Sequence, residues 1–364
     1  MPRSRRMLEW RRRREPSKAM LYLSPLIAIG LTMLTGMLIF GAIGYDGLRA
    51  VTAIFVTPLI EPQRWADLGV KAAPLIMIAL GLAIGFRANV WNIGAEGQYV
   101  MGAIAGTGVA LLTHDMTGWW ILPAMALAGI VGGAAWAALP ALLKVRLQVS
   151  EILTSLMLTY VAVQFLYYLV RGPWKDPDGF NFPQTKMFSG SQTLPAVAEG
   201  SLVHLGVPLA ILLALVAWFV LGKTVAGYAV RVVGRAPAAA RHGGFDANRV
   251  TWAALLAGGG LAGLAGLFEA AGPFGQLTPQ FPVGYGFTAI IVAFLGRLSP
   301  VGIVFGALVL AVTYVGGEIA QSTVRLPAAA TGMFQALLLF FLLATDVLVR
   351  YRLAWKTRPV RSAP

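Results

Sequence analysis

RANVWNIGAEGQYVMG, residues 87–102, sets Asn89, Asn92, Glu96 and Gln98 between two strongly apolar segments. Polar groups at membrane depth are costly unless they are paired or line a cavity, so they point to function by default. Gly94, Gly97 and Gly102 permit close backbone approach or a break in a helix. A broken helix inside a membrane bundle is a recurrent place for a ligand site. Helical spacing puts Asn89, Asn92 and Glu96 on one face, at i, i+3 and i+7. Two readings stand side by side. The four residues line a pathway, or they clamp the fold, with Asn92 capping a helix and Glu96 pairing with Arg87 or a backbone donor.

The surrounding chain explains why depth is the issue. Of 364 residues, 57% are hydrophobic and only 12% charged, and the mean hydropathy is +0.72. A soluble chain carries about 25% charged residues. The composition therefore predicts an all-α polytopic membrane protein with little chain left for a soluble domain. The chain has no cysteine, which removes disulfides, thiolate catalysis and Cys-ligated zinc. His114, His204 and His242 lie outside the apolar spans, so no metal site and no histidine proton relay is expected within them. An intramembrane enzyme would need a catalytic pair at depth, and none is legible.

Ten spans are predicted, at about 20–43, 67–86, 91–113, 119–142, 150–170, 207–222, 251–271, 284–297, 300–317 and 328–349. The eighth and ninth meet in a tight hairpin at Arg297-Leu298-Ser299-Pro300. Residues 50–60 are apolar but half the needed length and read as an interfacial or re-entrant helix. Charge sets the orientation. The net charge of +14 is concentrated in a basic arm over residues 1–19, in a tail over 350–364 and in alternate loops. With both termini cytoplasmic, only Arg49, Arg64, Lys71, Arg171, Lys175, Lys186 and Arg325 of the 29 basic residues fall outside. Basic flanks of this kind contact anionic lipid rather than nucleic acid.

Within the transmembrane body, 20–349, two loops are long. Residues 171–206 form an outer loop rich in Pro, Gly and polar residues. Residues 223–250 are cytoplasmic and carry a helical stretch, Ala236 to Arg241, between Gly234 and Gly243-Gly244, with Pro237 in its first turn. A short helix between glycine joints can dock in a groove of a soluble partner and transmit a rigid-body push. Small residues recur at four-residue spacing, as at Gly102/Gly106, Gly129/Gly133, Gly259/Gly263 and Ala262/Gly266, which predicts tight helix packing. Glu151 is a first-turn carboxylate. Glu269 is placed towards the outer vestibule, and Phe274, Phe281, Tyr285 and Phe287 either stack on a ring-shaped cargo or form an interfacial belt. No GxxxxGK[ST] occurs, so the chain has no ATP site.

Three passages carry a family resemblance: NVWNIGAEGQYVMGA at 89–103, GYAVRVVGRAPAAARHGGFDANRVTWAALLAGGGLAGLAG at 227–266, and GFTAIIVAFLGRLSPVGIVFGALVLA at 286–311. With them the chain resembles, over roughly residues 20–350, the permease subunits of bacterial ABC importers for simple sugars and nucleosides. The outer-loop run GPWKDPDGFNFPQT looks most like the nucleoside branch. The second passage is similar to the family's cytoplasmic coupling loop, although Arg231-Val232-Val233-Gly234-Arg235-Ala236 departs from the common Arg-Ala-Val-Gly followed by a polar pair.

The resemblance implies a non-enzymatic, cofactor-free permease in the bacterial inner membrane. On this resemblance it forms half of a heterodimeric pore with a second permease, served by two ABC-type ATPases and an extracytoplasmic binding lipoprotein. It implies that Arg231, Gly234, Arg235, Ala239, Ala240, Arg241 and Gly243 couple to the ATPase. Asn89, Asn92, Glu96, Gln98, Glu269, Phe274 and Tyr285 are the candidate substrate residues. The expected cargo is a nucleoside, with a simple sugar as alternative. An ion-coupled secondary transporter is the rival reading and would rest on a membrane acid such as Glu96.

Overall fold

The computed structural model describes residues 4–13, 17–197 and 203–359. Parts of the predicted basic arm (1–3, 14–16), of the outer loop (198–202) and of the basic tail (360–364) lie outside the described residues. The first elements are β1 (Ser4–Arg12), α1 (Lys18–Ile43), α2 (Gly47–Val51), a π-helical turn (Thr52–Val56) and α3 (Thr57–Ile60). Next come α4 (Trp65–Arg87), α5 (Ala95–Leu112), α6 (Ile121–Leu147), α7 (Glu151–Arg171) and α8 (Gly206–Lys223). Then follow α9 (Val225–Arg235), α10 (Pro237–His242), α11 (Ala247–Glu269), a second π turn (Ala270–Phe274) and α12 (Tyr285–Leu295). The chain closes with α13 (Pro300–Thr323), α14 (Ala329–Arg350) and β2 (Tyr351–Pro359).

The molecule is a polytopic all-α membrane protein. Eight helices among the described residues are long and apolar enough to span. Each of the ten predicted spans meets a helix, but two are shorter than read. α12 has 11 residues, roughly 16 Å of helix against a hydrocarbon core of about 30 Å. α5 has 18 residues and begins at Ala95 rather than near residue 91. The helical face drawn through Asn89, Asn92 and Glu96 therefore does not exist. The reason is local: Asn89 adopts φ 58°, and the Val90 N–H closes on the Gly85 carbonyl at 2.9 Å, which ends α4. A further departure is the antiparallel ribbon of β1 and β2, which pairs Ser4 with Pro359 and Arg12 with Tyr351. Backbone pairing across the whole length of the chain leaves no local periodicity to read.

The chain divides into two compact units, Met1–Thr57 with Gly316–Pro364, and Pro58–Val315. In the first, α1 and α14 pack along each other. Phe334 meets Phe40 at a tilt and Phe55 edge-on, at 5.5 and 5.4 Å, and the Thr345 hydroxyl donates to the Ser24 carbonyl at 3.1 Å. The apolar segment before residue 60 is a short helix, as its length required, with Ile54 fully buried.

In the second unit α4 is central, with 83% of its apolar window buried, whereas α6, α7 and α8 bury only 22–28% and face outward. Glycine brings α11 against α5 and α6. A Cβ on Gly102 would lie 2.1 Å from the Gly263 Cα, and one on Gly263 would lie 2.2 Å from the Gly129 carbonyl oxygen. The predicted hairpin at 297–300 is present. Arg297 and Leu298 turn it with φ 52° and 56°.

Candidate functional site

The start of α5 is a knot of paired polar groups. Asn92 Nδ2 donates to Gln98 Oε1 at 2.8 Å, and Gln98 Nε2 donates back to Asn92 Oδ1 at 3.1 Å. Asn92 Oδ1 also accepts from the Gly94 N–H at 3.2 Å. The two amides thus satisfy each other at 2% and 1% exposure. Glu96 is equally buried. Its two oxygens accept from the Gly284 and Gly286 N–H groups at 2.8 and 2.5 Å, at the N-terminus of α12. A carboxylate there satisfies orphan backbone donors and complements the helix dipole. The irregular residues before α5 are held from α7: Trp91 N–H donates to Glu151 Oε1 at 3.1 Å and Ile93 N–H to Ser155 Oγ at 3.2 Å. Glu151 also pairs with Lys144. Asn89 stands apart. It is exposed, and its Oδ1 accepts from Trp91 Nε1 at 3.3 Å.

A second cluster gathers Glu269, Phe274 and Tyr285 of the predicted substrate residues. Tyr285 Oη donates to Glu269 Oε1 at 3.4 Å. Phe274 meets Phe281 edge-on at 5.3 Å, and Phe281 stacks on Tyr99 at 5.0 Å. Tyr285 contacts both Tyr99 and Tyr314 edge-on, and Tyr314 Oη bonds Thr288 at 2.9 Å. Sequence reasoning missed Tyr99 and Tyr314. Tyr99 sits inside the quoted polar stretch, whereas Tyr314 lies in a plain apolar helix and carries no signal. The buried Tyr99 Oη has no hydrogen-bond partner among the described residues. The π turn that follows Glu269 shifts the helix register here, a feature frequent at functional sites. Phe281 and Tyr99 are fully buried, so the cluster is closed.

The loop between α7 and α8 is ordered against this cluster. Thr185 N–H donates to the Leu277 carbonyl, Phe188 N–H to Gly275 and Leu194 N–H to Ala271, at 2.8–3.0 Å. Gln192 Nε2 reaches the Ala110 carbonyl on α5 at 2.7 Å. His204 Nδ1 accepts from the Gly206 N–H at 3.1 Å, which leaves the buried Nε2 as the protonated nitrogen. Burial holds this imidazole below its ordinary pKa.

The predicted coupling residues fall on two helices. α10 has Pro237 in its first turn as expected and ends at His242, capped by Gly243, with Gly244 at φ 80°. α9, read as loop, is a separate amphipathic helix capped by Thr224. It packs on the end of α4 through Gly234, where a Cβ would come 2.0 Å from the Arg87 carbonyl oxygen. Ala239, Arg241 and Gly243 are exposed and Ala240 is buried. Arg241 lines a groove of about 610 Å³ with Pro237, Ala238, His242 and Phe245. Arg231, Gly234 and Arg235 face a different cavity, shared with Arg87 and Arg297.

A bundle of apolar helices with buried polar joints at broken helix ends is the architecture of a polytopic transport protein. Residues 64–343 match the family described as branched-chain amino acid transport system / permease component. The chain belongs to this family and is an ABC transporter permease. It is 37% identical to the glucose ABC transporter permease protein TsgB13 of Haloferax volcanii, over 91% of this chain and 89% of that protein. It is 28% identical to the guanosine ABC transporter permease protein NupP of Bacillus subtilis, over 90% and 94%. It is 27% identical to the nucleoside ABC transporter permease protein NupB of Lactococcus lactis, over 88% and 90%. No solved structure matches the chain.

Proposed function

We propose that this permease forms half of the pore of an ATP-driven importer whose cargo is a nucleoside. The observation that carries this reading is the Tyr99–Phe281 aromatic stack, with Phe274 edge-on to it, beside Glu269 and Tyr285. Aromatic faces suit a nucleobase, and carboxylate and phenol groups suit its edge and the ribose hydroxyls. Opening of the bundle exposes this cluster to cargo. Glu96 ties α5 to α12 beside it, the Asn92–Gln98 pair braces the break before α5, and Asn89 lies at the opposite, cytoplasmic mouth. The nucleoside and guanosine relatives favour the same cargo class. A sugar is the second reading, favoured by the 37% identity to a glucose permease.

The other half of the pore is a second permease. Support comes from Lactococcus lactis, where NupB and NupC both resemble this chain, and from Haloferax volcanii, where TsgB13 and TsgC13 do. With both termini cytoplasmic in a bacterial inner membrane, α10 faces the cytoplasm. There its groove receives an ATPase subunit, and ATP-driven closure of two such subunits turns the pore outward. An extracytoplasmic binding protein delivers cargo to the ordered outer loop.

Uptake by cells expressing the full transporter tests the reading. Saturable accumulation of labelled nucleoside that excess glucose does not inhibit is expected. Glucose accumulation blocked only by sugars moves the cargo to the second reading. Uptake that persists without an ATPase and follows an ion gradient sinks the ATP-driven mechanism.

A further inference from the structure

α7 carries polar groups on two faces, and only the buried one is satisfied. That face holds Glu151, Ser155 and Thr159. Glu151 and Ser155 bond the break before α5, and a Cβ on Gly97 would lie 2.7 Å from the Thr159 Cα. The outward face exposes Tyr160, Gln164 and Tyr168, a line at i, i+4 and i+8. Beyond them the Arg171 guanidinium lies 5.1 Å over the Tyr167 ring. Gln164, Tyr167, Tyr168 and Arg171 border a groove of about 360 Å³. The neighbouring helices differ. Within its span α6 turns Leu127, Val131 and Leu139 outward, and α8 turns Leu212, Leu215 and Phe219. Such faces suit lipid tails. Tyr168 and Arg171, in the last turn of α7, also suit a bilayer surface, as a belt aromatic and a snorkelling cation. Tyr160 and Gln164 do not. Measured along the helix they lie about 16 Å and about 10 Å from Arg171, inside a hydrocarbon core about 30 Å thick. Neither side chain has a hydrogen-bond partner among the described residues. A phenol and a primary amide left in hydrocarbon are costly. Across a helix–helix contact the same groups bond to their neighbour.

We infer that the outward face of α7 is the surface on which this chain receives the second permease of the pore, whose facing helix presents hydrogen-bonding groups to Tyr160 and Gln164. The inference rests on the two-permease reading above and assigns that contact to one helix. The assignment has a mechanical consequence. The other face of α7 is bonded to Trp91 and Ile93. A shift between the two permeases is therefore delivered directly to the residues that lead into α5.

The chain has no cysteine, so a single substitution places a unique probe. Tyr160→Cys and Gln164→Cys, with Val131→Cys on α6 and Leu215→Cys on α8 as controls, are labelled with a benzophenone maleimide and irradiated in membranes carrying the full transporter. Photo-crosslinks to a second polytopic permease are expected from both α7 positions and from neither control. Tyr160→Phe with Gln164→Leu should keep the monodisperse peak of the isolated permease, because both changes suit lipid, while recovery of the second permease falls about 10-fold. Should that variant not fold, the crosslinks decide alone. A second permease that co-purifies but crosslinks only from α6 or α8 overturns the α7 assignment and leaves the two-permease reading standing. Adducts with lipid alone, or with this chain or another copy of it, overturn the assignment in the same way. So does labelling by a membrane-impermeant maleimide without any crosslink, which would put α7 on an aqueous path. A purified transporter with no second permease overturns the two-permease reading itself.

Discussion

Glu96 is ringed by backbone, and this changes what its substitution reports. Both oxygens accept N–H groups at the start of α12. Glu96→Gln presents an amide NH2 to one of those donors, so it should cost about 2 kcal/mol of stability. A fall in melting temperature in detergent checks this; an unchanged value would show that the carboxylate does not hold α12. His204 responds to acid. Its imidazole is buried neutral, and its pKa lies below the ordinary value of 6.5. Protonation is easier in the unfolded chain, so the loop's docking is fully stable above about pH 6.5 and weakens as pH falls below it. The melting temperature should drop between pH 7.5 and 5.5, and His204→Gln should drop less. That Asn92, Glu96 and Gln98 had to be paired or line a cavity was legible from their apolar surroundings, and they are paired. Their partners were not legible, because a break between α4 and α5 replaced the helix that spacing suggested.

Among the elements, small-residue spacing was the most readable feature, since close packing needs only the absence of a side chain. Gly263→Leu should abolish the monodisperse peak in size-exclusion chromatography, because its Cβ would lie 2.2 Å from the Gly129 carbonyl oxygen. Gly30→Leu, with nothing within 4 Å of its Cβ, should keep that peak. The α10 helix was legible from Pro237 and the flanking glycines. The separate helix α9 was not, because its amphipathic face, buried at Gly227, Ala229 and Val233, is short and mixed with charge. Arg241→Glu reverses charge in the α10 groove without entering the arginine cavity. It should reduce ATPase co-purification several-fold while leaving the permease folded, and normal co-purification with normal uptake would refute docking at α10.

Across the whole molecule, the second unit carries both the aromatic cluster and helices α9 and α10, and the first unit joins the two ends of the chain. Gentle solubilisation of native membranes with a tag on this chain should recover a P-loop ATPase and a second polytopic permease. A homo-oligomer without an ATPase would move the mechanism to ion coupling.

Membrane placement and helix content were determined by the sequence itself, because hydropathy is a local sum measured against a fixed bilayer thickness. The family could be read for a similar reason, from short contiguous passages. Which polar group meets which was decided only by the tertiary structure. Glu96 and Gly284 lie 188 residues apart, and the four arginines of the basic cavity come from three separate stretches. No periodicity encodes such meetings; they follow from how glycine-lined helices close on one another.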